Sequence, residues 1–171
     1  MTATWQPAYI GLGSNLGDPV SQVRLAAHSL GSLPQTRLIA RSRLFGSRPL
    51  GPAPQLDFVN AAAAVLTQLT ALEMLHALQE LEVRSGRPAV HEHWGPRVLD
   101  LDLLVFGREQ CDSTELVLPH PGVVERNFVL YPLADIAPDL EVPGRGRVRA
   151  LLARVSADGV WPLGEARPGE G

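Results

Sequence analysis

The sequence is short of several things, and each shortage excludes something. It holds one cysteine, Cys111, so no disulfide framework and no thiolate metal site can be built within one chain. That usage fits a reducing compartment. No apolar run approaches the ~20 residues a membrane span needs. The opening stretch "MTATWQPAYIGLG" has no basic segment followed by an apolar one, as a secretory leader would. A soluble cytoplasmic protein is the expectation. Charge of one sign is missing too: 15 basic residues stand against 18 acidic ones, a formal net charge of −3. Bulk charge therefore drives neither nucleic-acid nor membrane binding. There is no GxxxxGK[ST] loop, which excludes a P-loop enzyme.

What is present suits one globular domain. The chain has 171 residues, of which 45% are hydrophobic, and its 16 glycines and 15 prolines are scattered without a period. Ala8–Leu12 reads as a strand, with "GSNLGDP" after it as a turn. Asp18 then Pro19 is an N-cap with proline at the first helical position, and Val20, Val23, Ala27, Leu30 and Leu33 give Pro19–Leu33 one apolar stripe. Arg37–Phe45 is β-like, and "GSRPLGPAPQLD" is a long loop. Phe58–Leu66 is a strand. Thr70 with Glu73 forms a capping box for a helix reaching Arg84, its stripe read as Leu72, Leu75, Leu78 and Leu81 or Glu82. A second long loop, "SGRPAVHEHWGPR", precedes the strand Val98–Phe106. Leu116–Leu118 is a short edge strand, and helices follow at Val123–Leu133 and Val148–Val155. The order predicts an α+β fold, a ferredoxin-like β-α-β-β-α-β sandwich with extra C-terminal helices. The sheet should be antiparallel or mixed, with the two main helices on one face. Residues 1–155 form the domain, and 156–171 are expected to be a flexible tail.

The most informative stretch is "WGPRVLDLDLLVFG", Trp94 to Gly107. A strand this apolar should not carry Asp100 and Asp102. Alternation puts both acids on one face, roughly 7 Å apart at the backbone, where unpaired carboxylates repel and resist desolvation. Arginine pairing, with Arg97 near in sequence, would answer the problem. So would an open, solvated face, or a divalent ion. Arg87, Arg97 and His120 flank the acids in sequence. Acids for Mg²⁺ and arginines for phosphate oxygens are what a polyphosphate site needs.

The ordered set "YIGLGSNLGD", "RPLGP", "DFVNAA", "GR", "WGPRVLDLDLL", "LPHP" and "ERNFVLYPLADIAPDL" resembles the 6-hydroxymethyl-7,8-dihydropterin pyrophosphokinases of folate biosynthesis. The likeness runs from about Tyr9 to Pro138. It implies the ferredoxin-like fold and a reaction in which ATP gives its β,γ-pyrophosphoryl group to the pterin's hydroxymethyl oxygen and AMP leaves. It implies that Asp100 and Asp102 hold two Mg²⁺ ions and that Asp102 also assists deprotonation of the hydroxyl, with Arg87 and Arg97 in catalysis. The nucleotide falls to Gln79, Glu82, Arg87, Trp94, Arg97, Leu103, His120 and Arg126, with Trp94 on a closing loop. The pterin falls to Ser47, Leu50, Phe58, Asn60 and Phe128, the two phenylalanines sandwiching the flat ring. Ala89 stands where the family often has a second arginine, Ser47 where threonine is common and Phe58 where some members have tyrosine. The resemblance suggests a monomer whose partners are ATP and the pterin.

Two other classes stay open on the residues alone. A ferredoxin-like sandwich can be a ligand-binding or regulatory module, which would bind without producing AMP. An aspartate pair can also serve a metal-dependent nuclease or phosphatase. Phe58, Asn60 and Phe128 speak against that, because such hydrolases need no stacking pocket.

Overall fold

The computed structural model describes residues 4–52, 54–85 and 98–164. In chain order the elements are β1 (Gln6–Ser14), α1 (Pro19–Leu30), β2 (Thr36–Arg41), β3 (Phe45–Ser47), β4 (Phe58–Thr67), α2 (Ala71–Arg84) and β5 (Asp100–Phe106). Then come β6 (Cys111–Asp112), β7 (Val117–Leu118), a 3₁₀ turn (Pro121–Val124), α3 (Asn127–Ile136), β8 (Glu141–Val142), β9 (Gly146–Arg147), α4 (Val148–Leu152) and β10 (Val160–Pro162). The main sheet is antiparallel at every pairing, in the order β10-β3-β4-β1-β5, with β2 also paired to β4. No described helix is long and apolar enough to cross a membrane.

The helix signals act as written. Asp18 Oδ1 accepts from the Ser21 N–H, Pro19 opens α1 and Gly31 caps its end. Thr70 and Glu73 exchange both bonds of a capping box at the start of α2. The buried stripe of α2 is Ala71, Met74, Leu78, Leu81 and Glu82, while Leu72 is exposed. The stripe is thus rotated from the leucine series, because the first buried position is the residue after the cap. The α1/α2 face of the sheet holds one apolar cluster around Ile10, Val23, Ala63, Leu78 and Leu103, and the α3/α4 face holds a second around Leu104, Leu130, Leu133 and Val148.

Several expectations are corrected. Arg37–Phe45 is not one strand. Its pairing with β4 shifts register between Leu38 and Ala40, and the chain resumes as β3 with Phe45 opposite Asn60. Glycine and serine in "GSNLG" do not all form a turn, since β1 runs through Ser14. The helix expected from Val123 is split by Arg126, whose extended backbone ends the 3₁₀ turn and starts α3. From Ser156 the expected tail instead supplies β10, paired with β3. Residues 165–171 lie outside the described residues.

β5 carries the correction that matters most. Ile10 faces Leu103 while Tyr9 faces Val105, so Leu104 is an extra residue, a β-bulge. Alternation therefore changes phase. Leu99, Leu101 and Leu103 face α1 and α2, but Phe106 joins them there, and Val105 turns with Leu104 to the other face. Strict alternation would instead put Val105 with Leu103 and Phe106 with Leu104. The bulge also frees the Leu104 carbonyl from β1, and the His120 N–H takes it at 2.9 Å. Leu104 is fully buried against the α3 face. Leu104→Ala is expected to cost about 2–5 kcal/mol in urea unfolding, the bulge itself surviving because its bonds are backbone bonds.

Candidate functional site

The site grows from cross-strand register. Gly13 on β1 stands opposite Asn60 on β4 and opposite Asp100 on β5, and Gly11 stands opposite Ala62 and Asp102. Residues directly opposite one another in an antiparallel sheet share a face. On the α3 side, then, Asp100 and Asn60 flank a glycine, two strand spacings or about 10 Å apart at the backbone. A side chain there would be crowded. A Cβ on Gly13 would stand 3.3 Å from Asn60 Oδ1 and 3.9 Å from the Phe58 ring. These contacts bring the amide and the ring over the same strand.

Ser47, Phe58 and Asn60 come together as the sequence predicts. Ser47 on β3 is opposite Phe58, and Asn60 Nδ2 donates to Ser47 Oγ at 2.7 Å. Both are buried, Ser47 at 2% exposure and Asn60 at 5%. Among the described residues no donor reaches Asn60 Oδ1 and no acceptor takes the Ser47 hydroxyl proton. A buried amide with an unused edge in an otherwise apolar strand is costly unless a ligand completes it. α3 crosses over β4 and β3 and carries half-buried Phe128 on this face. Arg126 lies with its Cζ 5.9 Å from the Phe128 ring centre. Asn15, buried just beyond β1, donates through Nδ2 to Gln55 Oε1 and to the Leu56 carbonyl. It thereby ties down the loop that carries exposed Leu50.

The acid side is equally ordered. Asp100 and Asp102 are half-buried on the same face of β5, as alternation requires. His120 is delivered beside them by the bond to the bulge carbonyl. Its Nδ1 accepts from the Gly122 N–H at 2.9 Å, which leaves the imidazole proton on Nε2. That nitrogen is 3.8 Å from Asp102 Oδ1. Burial pushes the His120 pKa below the usual imidazole value; the Arg126 charge pushes the same way, and Asp100 opposes them. His120 is thus a neutral Nε2–H donor next to an acid pair. Two hard carboxylate donors on one face, with no group of three His, Cys, Asp or Glu among the described residues placed to cage a metal, fit a magnesium ion. Mg²⁺ takes one or two protein carboxylates and fills its octahedron with water and substrate phosphate.

Glu82 is buried at 6% exposure, and its Oε2 accepts from the Leu101 N–H at 3.0 Å. It anchors the first turn of the acid strand to α2. Gln79 lies on the exposed side of that helix. The Leu103 side chain is in the α1/α2 core at 3% exposure, so a ligand on the acid face meets that residue through its backbone alone. Arg87, Ala89, Trp94 and Arg97 lie outside the described residues. Sequence reasoning missed Gly13 and Asn15, having taken "GSNLGDP" for a turn, and gave Gly11 no role in the site. The signal was the two-residue spacing of the glycines, which puts both on one face of a strand.

A family profile described as 7,8-dihydro-6-hydroxymethylpterin-pyrophosphokinase (HPPK) matches residues 9–138. The chain is 47% identical over 159 residues to the 2-amino-4-hydroxy-6-hydroxymethyldihydropteridine pyrophosphokinase of Pseudomonas aeruginosa, covering 92% of this chain and 97% of that one. It is 43% identical over 145 residues to the protein of the same name from Haemophilus influenzae, covering 85% and 90%. Among solved structures it is similar to Plasmodium falciparum HPPK-DHPS A437G with STZ-DHP, at a TM-score of 0.69 and 13% identity over 89% of this chain. That likeness concerns the fold alone, and this chain spans 46% of that longer one.

A titration follows from the His120 geometry. The folded chain binds the His120 proton less readily than the unfolded chain does, so more protons bind on unfolding as pH falls. The residue's stabilising contribution is whole above about pH 6.5 and is lost as pH drops toward the lowered folded value. His120→Asn keeps a side-chain cap for the 3₁₀ turn without the titration. Between about pH 7 and pH 5.5 the melting temperature of the native chain should fall further than that of His120→Asn, measured by circular dichroism.

Proposed function

Since the chain belongs to the 7,8-dihydro-6-hydroxymethylpterin-pyrophosphokinase family, we propose that the site built on Gly13 is where it carries out that family's reaction. The chain pyrophosphorylates hydroxymethyldihydropterin in folate synthesis. One observation carries the assignment: a single row of the sheet holds Asp100, Gly13 and Asn60. A flat substrate against Asn60 then projects its hydroxymethyl group across the glycine toward the acids. The strand order β3-β4-β1-β5, with α1 and α2 on one face, supports reading the core as ferredoxin-like.

Phe58 and Phe128 sandwich the pterin ring. Asn60 and Ser47 supply donor and acceptor to its edge, and Leu50 closes the rim. On the other side ATP lies with its phosphates toward β5. Asp100 and Asp102 would hold Mg²⁺, two ions by family resemblance, which would supply positive charge against the triphosphate. His120 offers its Nε2–H to a phosphate oxygen and, being neutral, does so without cancelling the charge of the acids beside it. Arg126 adds a fixed cation. Gln79, Glu82, the Leu103 backbone and, from the sequence, Arg87, Trp94 and Arg97 complete the nucleotide side.

The step is an in-line displacement at the β-phosphorus. The pterin hydroxymethyl oxygen forms a bond to it, the bridging oxygen to the α-phosphorus leaves with AMP, and the hydroxyl proton passes to Asp102 or to water. Most of the acceleration comes from holding the hydroxyl and the phosphorus in register and from the charges arrayed around the phosphates. A cytoplasmic monomer using ATP and the pterin, with no nucleic acid or membrane, is the accompanying reading.

AMP release measured by chromatography, with ATP, Mg²⁺ and 6-hydroxymethyl-7,8-dihydropterin, tests the assignment. Native chain should release AMP only when the pterin is present. Asp100→Ala and Asp102→Ala should each lower that release by at least about 10³-fold while the far-ultraviolet spectrum is unchanged. Turnover retained in the double variant would remove the acid pair from the mechanism. AMP released without pterin would favour a hydrolase instead.

A further inference from the structure

The chain beyond the family match returns to the site. β10 pairs with β3, Val160 opposite Ser47, Trp161 opposite Gly46 and Pro162 opposite Phe45. The Arg48 N–H donates to the Gly159 carbonyl at 3.0 Å, and the Leu163 N–H donates to the Leu44 carbonyl at 2.8 Å. The Trp161 indole lies directly against Gly46, where any Cβ would overlap it. β3 is therefore held from its outer edge along its whole length.

The same segment is also held to α3. Asn127, the first residue of that helix and the neighbour of Phe128, donates through Nδ2 to two carbonyls, Ser156 O at 2.9 Å and Asp158 O at 2.8 Å. Both amide hydrogens are used. The loop between them is internally braced, because the Asp158 N–H donates to Ser156 Oγ at 3.0 Å. One short stretch, 156–162, thus grips the strand bearing Ser47 on one side and the helix start bearing Phe128 on the other.

We propose that residues 156–162 form a strap that fixes the distance between the two walls of the pterin pocket, with Asn127 and Trp161 as positioning residues for that substrate. The inference rests on the pocket assigned under the proposed function. A stacking slot has little tolerance: its two rings must both reach the faces of one flat heterocycle, and displacement by about 1 Å can cost around 10²-fold in turnover. α3 also packs on β3 and β4, and Arg43, just before β3, binds Asp135 near the far end of that helix; at the Phe128 end the hydrogen bonds come from residues 156–162. The acids and His120 are anchored elsewhere, by β1, α2 and the bulge carbonyl. Loosening the strap should therefore separate pterin binding from nucleotide binding.

Asn127→Leu tests this. It keeps the size and the charge but removes both N–H donors. Pterin affinity, titrated calorimetrically with Mg²⁺ and a non-hydrolysable ATP analogue present, should weaken about tenfold or more, and KM for pterin should rise in step. Affinity for the analogue alone should stay within about twofold, as it would not if the whole site collapsed. Trp161→Ala should behave likewise, and Trp161→Phe should recover most of the loss. Asn127→Ser and Trp161→Leu serve where a harsher change unfolds the chain at the assay temperature. Folded variants at both positions with pterin affinity within twofold of native would overturn the strap, as would equal losses for pterin and nucleotide. A native chain that releases no AMP with pterin would instead count against the proposed function, so the two failures are distinguishable.

Discussion

The site depends on one strand that has almost no side chains where it matters. β1 is bonded on both sides, to β4 and to the edge strand β5, and its glycines at 11 and 13 face the α3 layer. Backbone hydrogen bonds hold β4 and β5 at fixed spacing across it. The strand residues proposed to act are set from that backbone floor. Asn60 and Phe58 rise on one side of it and Asp100 and Asp102 on the other. A larger residue at 13 would push against the Asn60 amide, so the polar edge offered to a ligand and the absence of a side chain beneath it are one constraint.

The bulge at Leu104 adds the electrostatic partner. An uninterrupted β5 would have used the Leu104 carbonyl in its ladder. Displaced, that carbonyl binds the His120 backbone, and the Gly122 amide fixes the tautomer. The imidazole then presents a proton, not a lone pair, toward the acids. Its low proton affinity comes from burial first and from Arg126 second, with Asp100 opposing. A neutral donor suits a place already crowded with charge. The same turn leads through Arg126 into α3 and so to Phe128, which couples the acid side and the ring side through a few residues of backbone.

Much of this was legible in one dimension. The capping box of Thr70 and Glu73, the Asp18–Pro19 helix start and the apolar stripe of α1 are local chemistry, and they form as written. The shared face of Asp100 and Asp102 follows from the two-residue period of a strand. The order of motifs identified the family. Other features were hidden because each rests on a partner far away in sequence. The sequence left the stripe position open between Leu81 and Glu82; Glu82 is buried, and its carboxylate accepts from the Leu101 N–H on β5. Residues 156–162 read as a tail because their composition is poor in core residues. Their order comes from β3 and Asn127.

What the sequence by itself determined is the inventory and its local geometry: which residues cap, which alternate, and that two acids share a face. Short-range sterics and hydrogen bonds decide those matters. Only the tertiary structure decided that Gly13 would be the gap between Asp100 and Asn60, that Phe106 and Val105 would exchange faces after Leu104, and that the C-terminal segment would tie Ser47's strand to Phe128's helix. Register, bulges and edge pairings are set by which strands meet. That choice belongs to the packing of the whole chain, because no short window contains both partners of the bond.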